Sequence, residues 1–208
     1  MKEAYFIRHG NANYLEGCLT PRGISQRDSL VRTLEPLLPV GVLYALVSSS
    51  SPRVAETAEP FIDLIRRKTG QKLDLIPERC LGEREALGSF ETLLANGVRN
   101  LGLMDKYKDV DVPLFFSHEK IIAPTTIALA EKLGIPLPNV LKLIEDKIDD
   151  AQLIDMVMKR HKCSREEVDE ICKKHYQWNP MREFPYIAEA SAIHFDFVGK
   201  QVKYILVE

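Results

Sequence analysis

Ala4-Tyr5-Phe6-Ile7-Arg8-His9-Gly10 is the stretch that decides the fold. Four apolar residues stop at a guanidinium, an imidazole and a residue with no side chain. The run has the length and composition of a short buried strand. In open α/β sheets the carboxyl ends of the strands face the ligand crevice. Burying the Arg8 charge without a partner is costly. Arg8 and His9 at a strand end therefore point to an anion.

Working outward, two more apolar runs end in polar groups. Residues 43–47 lead into four serines, Pro52 and Arg53, and residues 112–116 lead into Ser117 and His118. A third run, 73–76, is shorter. Helices fit between these strands. Thr20 is an N-cap with Pro21 at the first helical position, and Pro36 stops that helix. A second helix runs from Pro52 to about Lys68 and stops at Gly70. Residues 91–107 form a third, after a charged loop over 77–90. Residues 120–133 form a fourth, stopped by Gly134. Alternating strands and helices imply a mainly parallel sheet covered on both faces, a three-layer α/β/α sandwich.

The tail reads as two strands, 191–197 and 201–207, turning at Gly199-Lys200, a C-terminal hairpin joined to the sheet. Residues 138–186 differ in kind. Two helices are expected there, over 149–161 and 164–176, with Ser164 and Glu167 as a capping-box pair. We read residues 1–208 as a single domain, with 138–186 a helical insertion before the hairpin.

With 28 basic and 30 acidic residues the formal charge is −2, so no global field favours nucleic acid or a membrane surface. No segment has the length and apolarity of a membrane span. The N-terminus enters a strand directly and lacks a signal-peptide core. Cys18, Cys80, Cys163 and Cys172 are widely spaced and unpatterned. A cytoplasmic protein with reduced thiols is expected.

The three strand ends converge on one chemistry. Arginines such as Arg8 and Arg53 clamp a phosphoryl group bidentately. Arg53 also lies at a helix start, where backbone N–H groups favour anions. Of two histidines, His9 and His118, one can attack phosphorus if its far ring nitrogen is held as a donor. The other can donate to a phosphoryl oxygen. The leaving oxygen needs a general acid. Glu83 and Glu85, on the loop after the third strand, are the candidates.

On these residues the chain resembles the histidine phosphatase superfamily, of phosphoglycerate mutase-like fold, over nearly its whole length outside the insertion. Arg8-His9-Gly10 is one matching element. Leu19-Thr20-Pro21-Arg22-Gly23-Ile24-Ser25-Gln26 is similar to the family's LTxxGxxQ. The segment from Ser49 to Ala58 is similar to SSxxxRAxxTA. Ser117-His118 matches, as does Ala190-Ser191-Ala192-Ile193 before the hairpin. The resemblance implies that His9 is the nucleophile that becomes phosphohistidine. It implies a phosphate pocket of Arg8, Arg53 and His118, and neither metal nor other cofactor. Of the acid motif LxExxxG, Leu81 and Glu83 fit the first half, while Gly88 falls one residue late. Glu83 is preferred and Glu85 stays open. The run Asn11-Ala12-Asn13 is nearer the small phosphohistidine phosphatases of the SixA type, and Asn13 can donate its amide to phosphate. The short segment from Gly10 to Thr20 suggests an open pocket.

The implied activity is metal-independent hydrolysis of a phosphomonoester or phosphohistidine. The substrate would be a phosphorylated small molecule or a phosphoprotein, with neither nucleic acid nor membrane as partner. Two alternatives remain: phosphoryl transfer of the phosphoglycerate mutase type, and a phosphate-dependent binding protein with a dormant site. His161, Cys163, Cys172 and His175 match no zinc spacing, and a continuous helix would hold Cys163 and Cys172 too far apart for one ion.

Overall fold

A computed structural model describes residues 1–13, 15–82, 90–135 and 187–206, together with 158, 162, 164 and 167; over 90–94 only the backbone course is described. Strand β1 is Glu3–Arg8. Two short strands, β2 (Ala12–Asn13) and β3 (Cys18–Leu19), precede helix α1, Pro21–Leu34. Then come β4 (Tyr44–Ser48), α2 (Pro52–Thr69), β5 (Leu75–Pro77) and a 3₁₀ turn, Arg79–Leu81. Next are α3 (Phe90–Lys106), β6 (Val112–Ser117), α4 (Glu119–Leu133), β7 (Ala192–Asp196) and β8 (Gln201–Ile205).

The main sheet has six strands in the order β5-β4-β6-β1-β7-β8. The first four are mutually parallel, and β7 and β8 are added antiparallel. This is the mainly parallel α/β arrangement and the joined hairpin expected from the sequence.

Each central strand is buried on both faces, and its side chains divide with period two. Tyr5, Ile7, Tyr44, Leu46, Leu114 and Phe116 pack with Leu30, Leu34, Phe61 and Leu64 of α1 and α2. Ala4, Phe6, Ala45, Val47 and Phe115 pack with Leu103, Met104, Ile121 and Ile122 of α3 and α4. The layers are therefore α1 and α2, then the sheet, then α3 and α4.

Helix ends follow the sequence signals. Thr20 caps α1 by accepting from the Gly23 N–H, and Pro21 follows it. Helices α2 and α4 end on Gly70 and Gly134, both left-handed, at φ 74° and 70°. A side chain there would be strained. At 164 the Ser164 N–H donates to the Glu167 carboxylate at 2.8 Å, one of the two bonds of a capping box, while the Glu167 N–H donates to the Ser164 carbonyl. Apart from 158, 162 and these two residues, the stretch 138–186, including His161, Cys163, Cys172 and His175, lies outside the described residues. Cys18 and Cys80 are free thiols. Among the described residues no helix is long and apolar enough to cross a membrane.

Between β1 and α1 the short segment folds as a β-ladder that the sequence reading did not include, Ala12 opposite Leu19 and Asn13 opposite Cys18. Two-residue strands carry too little periodicity to be legible. The Arg53 N–H donates to the Gly17 carbonyl and the Leu19 N–H to the Glu56 carboxylate, so α2 holds this ribbon in place.

Candidate active site

Strand register builds the site. Arg8 of β1 is opposite Ser117 of β6, and Phe116 of β6 is opposite Ser48 of β4. The three strands thus end level, and the residues just beyond them, His9, Ser49 and His118, meet at one edge. All three are buried, as is Arg53 in the first turn of α2.

Alternation also decides which way each group faces. His9 continues the Tyr5 and Ile7 side, toward α2. There its Nε2 accepts from Arg53 Nε at 3.3 Å. His118 continues the Phe116 side. Its Nδ1 lies 3.5 Å from Arg53 Nη2, and its Nε2 lies 3.2 Å from Ser49 Oγ. The two imidazoles are edge to face, with centroids 5.2 Å apart. Arg8 continues the Ala4 and Phe6 side, toward α4. Its guanidinium hydrogen-bonds the Ile187 carbonyl and pairs with Glu119 at 3.2 Å.

The tautomer of His9 follows from its partners. A carbonyl only accepts, so Nδ1, 2.7 Å from the Gly10 oxygen, carries the proton. A guanidinium only donates, so Nε2 presents its lone pair to Arg53. Burial first, then the nearby His118 and Arg8, push the His9 imidazole well below its ordinary range. The ring is neutral, with one nitrogen anchored and the other nucleophilic. His118 lies between the same arginine, on its Nδ1 side, and the Ser49 hydroxyl, on its Nε2 side.

The loop from His9 to Asn11 is held by close backbone approach. A Cβ on Gly10 would lie 2.6 Å from the Gly23 oxygen, and one on Gly23 would lie 1.9 Å from the Asn11 oxygen. Only glycine fits at either position. The Gly10 N–H donates to Thr57 Oγ1, and that hydroxyl donates to the Arg53 carbonyl at 2.8 Å. Gln26 accepts from the Asn11 N–H, and the Thr20 hydroxyl donates to Asn11 Oδ1, both at 2.7 Å. The LTPRGISQ segment therefore fixes the loop that carries the imidazole.

The chain matches no family model and no curated protein, whereas solved structures match over its full length. The alpha-ribazole phosphatase from Shigella flexneri is similar at TM-score 0.52 and 13% identity, covering 99% of this chain and 95% of that one. The phosphoserine phosphatase from Entamoeba histolytica is similar at TM-score 0.51 and 13% identity, covering 100% and 97%. The Rv3214 protein of Mycobacterium tuberculosis is similar at TM-score 0.51 and 12% identity, covering 99% and 96%. The chain has the histidine phosphatase fold.

Within this histidine phosphatase fold, His9, Arg53 and His118 come together as the sequence suggests. Glu83 and Glu85, the two candidate acids, lie outside the described residues. Asn13 is tied into its own turn, where Oδ1 accepts from the Leu15 N–H at 3.1 Å. The α2 N-terminus is expected to offer amides to an anion. Pro52 has none, however, and the Arg53 and Val54 N–H groups donate to the carbonyls of Gly17 and Ser51. Ser49 Oγ lies against His118 Nε2 at 3.2 Å. Glu119 escapes the sequence reading. Its one signal is an acidic residue directly after Ser117-His118, at the strand end where the ligand crevice is expected.

Proposed function

We propose that this protein is a metal-independent phosphatase that hydrolyses a phosphomonoester or phosphohistidine through a phosphohistidine on His9. The observation that carries it is the neutral His9 ring, Nδ1 tied to Gly10 and Nε2 aimed at Arg53. A charged phosphoryl oxygen is a stronger acceptor for Arg53 than a neutral ring nitrogen. An arriving phosphate draws Arg53 onto itself and releases the Nε2 lone pair toward phosphorus. His9 Nε2 then forms the N–P bond while the ester P–O bond breaks. Arg53 and His118, with Arg8 from the far side of the sheet, hold the equatorial charge. Asn13 can add its amide from the ribbon.

The leaving oxygen takes its proton from Glu83 or Glu85, and the same carboxylate then deprotonates the water that attacks phosphohistidine. The start of their loop supports this. Ser117 Oγ, directly before His118, donates to the Leu81 carbonyl at 2.8 Å. The solved phosphatases of this fold act, by name, on phosphorylated small molecules. We propose that class, or a phosphoprotein, as substrate.

The test is phosphate release from an aryl phosphate with a chelator present, comparing wild type with His9→Ala. Chelator-resistant release that disappears in the variant supports the proposal. Wild-type-like release by His9→Ala contradicts it.

A further inference from the structure

Glu119 has no part in the chemistry described so far, yet it sits on a phosphate-site arginine. It opens α4 directly after His118, and its side chain is only 16% exposed. Groups from three elements face it. Arg8 Nη1, from β1, is 3.2 Å from Oε2. From the segment before β7, the Ile187 N–H hydrogen-bonds the carboxylate and Glu189 repels it. Lys120, beside it on α4, attracts it. Glu189 is itself held by the Asn11 amide, at 3.1 and 3.2 Å to its two oxygens. Burial outweighs the pull of Arg8 and Lys120 and raises the Glu119 carboxyl above its ordinary range. A phosphoryl dianion reaching Arg8 therefore meets a carboxylate already in place. Two anions sharing one guanidinium in a buried setting repel strongly, and the weaker acid site responds by binding a proton.

We propose that Glu119 is the exchangeable counter-ion of Arg8, and that it takes up one solvent proton when a phosphoryl dianion engages that arginine. An O–H bond forms on the carboxyl and no other bond changes. The pocket thus binds oxyanion and proton together. Glu119 is a positioning residue, acting through Arg8. This inference rests on the phosphate-pocket reading above. It follows that oxyanion affinity falls about tenfold per pH unit between the free and the bound carboxyl's titration. His9, neutral in the free protein, can add proton uptake of its own. The share of Glu119 is therefore read as a difference.

The experiment is calorimetric binding of sulfate to the full chain, in pairs of buffers differing in ionisation enthalpy, between about pH 5 and pH 8. Sulfate is fully ionised across that range. Wild type should take up about one proton more per sulfate than Glu119→Gln. The variant should also bind sulfate at least about tenfold more tightly at the alkaline end. Equal proton uptake by the two proteins overturns the inference and leaves the phosphate pocket standing. No sulfate binding by either overturns the pocket, and the counter-ion with it. Should Glu119→Gln fail to fold, the wild type decides by infrared difference spectroscopy. A carboxylic-acid carbonyl band must appear when sulfate is added, and its absence overturns the inference.

Discussion

Arg53 Nε lies 3.3 Å from His9 Nε2, the ring nitrogen that the Gly10 carbonyl leaves unprotonated. One guanidinium thus holds the nucleophile's lone pair and also faces His118. On the proposed function, the group that binds phosphate and the group that restrains the nucleophile are the same side chain.

Replacing that side chain should therefore damage two functions together. Arg53→Lys keeps the charge but loses the fork that reaches both imidazoles. We expect kcat/KM to fall by about a hundredfold or more. Steady-state kinetics on an aryl phosphate checks this. A change in KM alone would mean that Arg53 only binds.

His9 is held neutral by burial and by the charges around it. The acidic limb of kcat/KM should consequently lie below the ordinary imidazole value of 6.5. The same shift has a stability sign. The folded ring refuses a proton that the unfolded ring accepts, so stability falls as pH drops below about 6.5. Above that value neither state holds the proton and this contribution vanishes. Denaturant titrations at several pH values should show the slope in wild type and a smaller slope in His9→Gln.

Thr57 joins two parts of the site, accepting from the Gly10 N–H and donating to the Arg53 carbonyl. Thr57→Val keeps the shape and leaves the buried Gly10 N–H without that acceptor. A loss of about 1–3 kcal/mol in unfolding free energy is expected. Urea denaturation measures it, and turnover should fall with it because the His9 loop loosens.

Gly23→Ala places a methyl group 1.9 Å from the Asn11 oxygen. Backbone on both sides must move. We expect destabilisation of about 3 kcal/mol and a sharp drop in activity. Gly102, inside α3, has nothing within 4 Å of an added Cβ among the described residues, so Gly102→Ala should leave activity unchanged and raise stability by about 0.5–1 kcal/mol. Thermal melts of the two variants make the comparison.

The sheet, its four helices and the hairpin were legible because buried strands and capped helices write long, regular signals. The same alternation separates Arg8 from His9. Adjacent residues on a strand face opposite sides, so His9 goes to Arg53 while Arg8 goes to Glu119. Glu119 was missed. Its role depends on a partner 111 positions earlier (119 − 8), and no local pattern reports such a contact. The ribbon of β2 and β3 was invisible because two residues show no period. Conversely, Gly10 and Gly23 stand out as motif letters, and the structure supplies their reason in the near-touching backbones.

The central claim is a covalent bond to His9 Nε2. We would mix the protein with a phosphoester, quench in alkali, where phosphohistidine survives, and map the phosphoryl group by mass spectrometry of the peptides. The expected result is a phosphoryl adduct on His9, absent from His9→Ala together with turnover. An adduct on another residue, or His9→Ala turning over like the wild type, would contradict it.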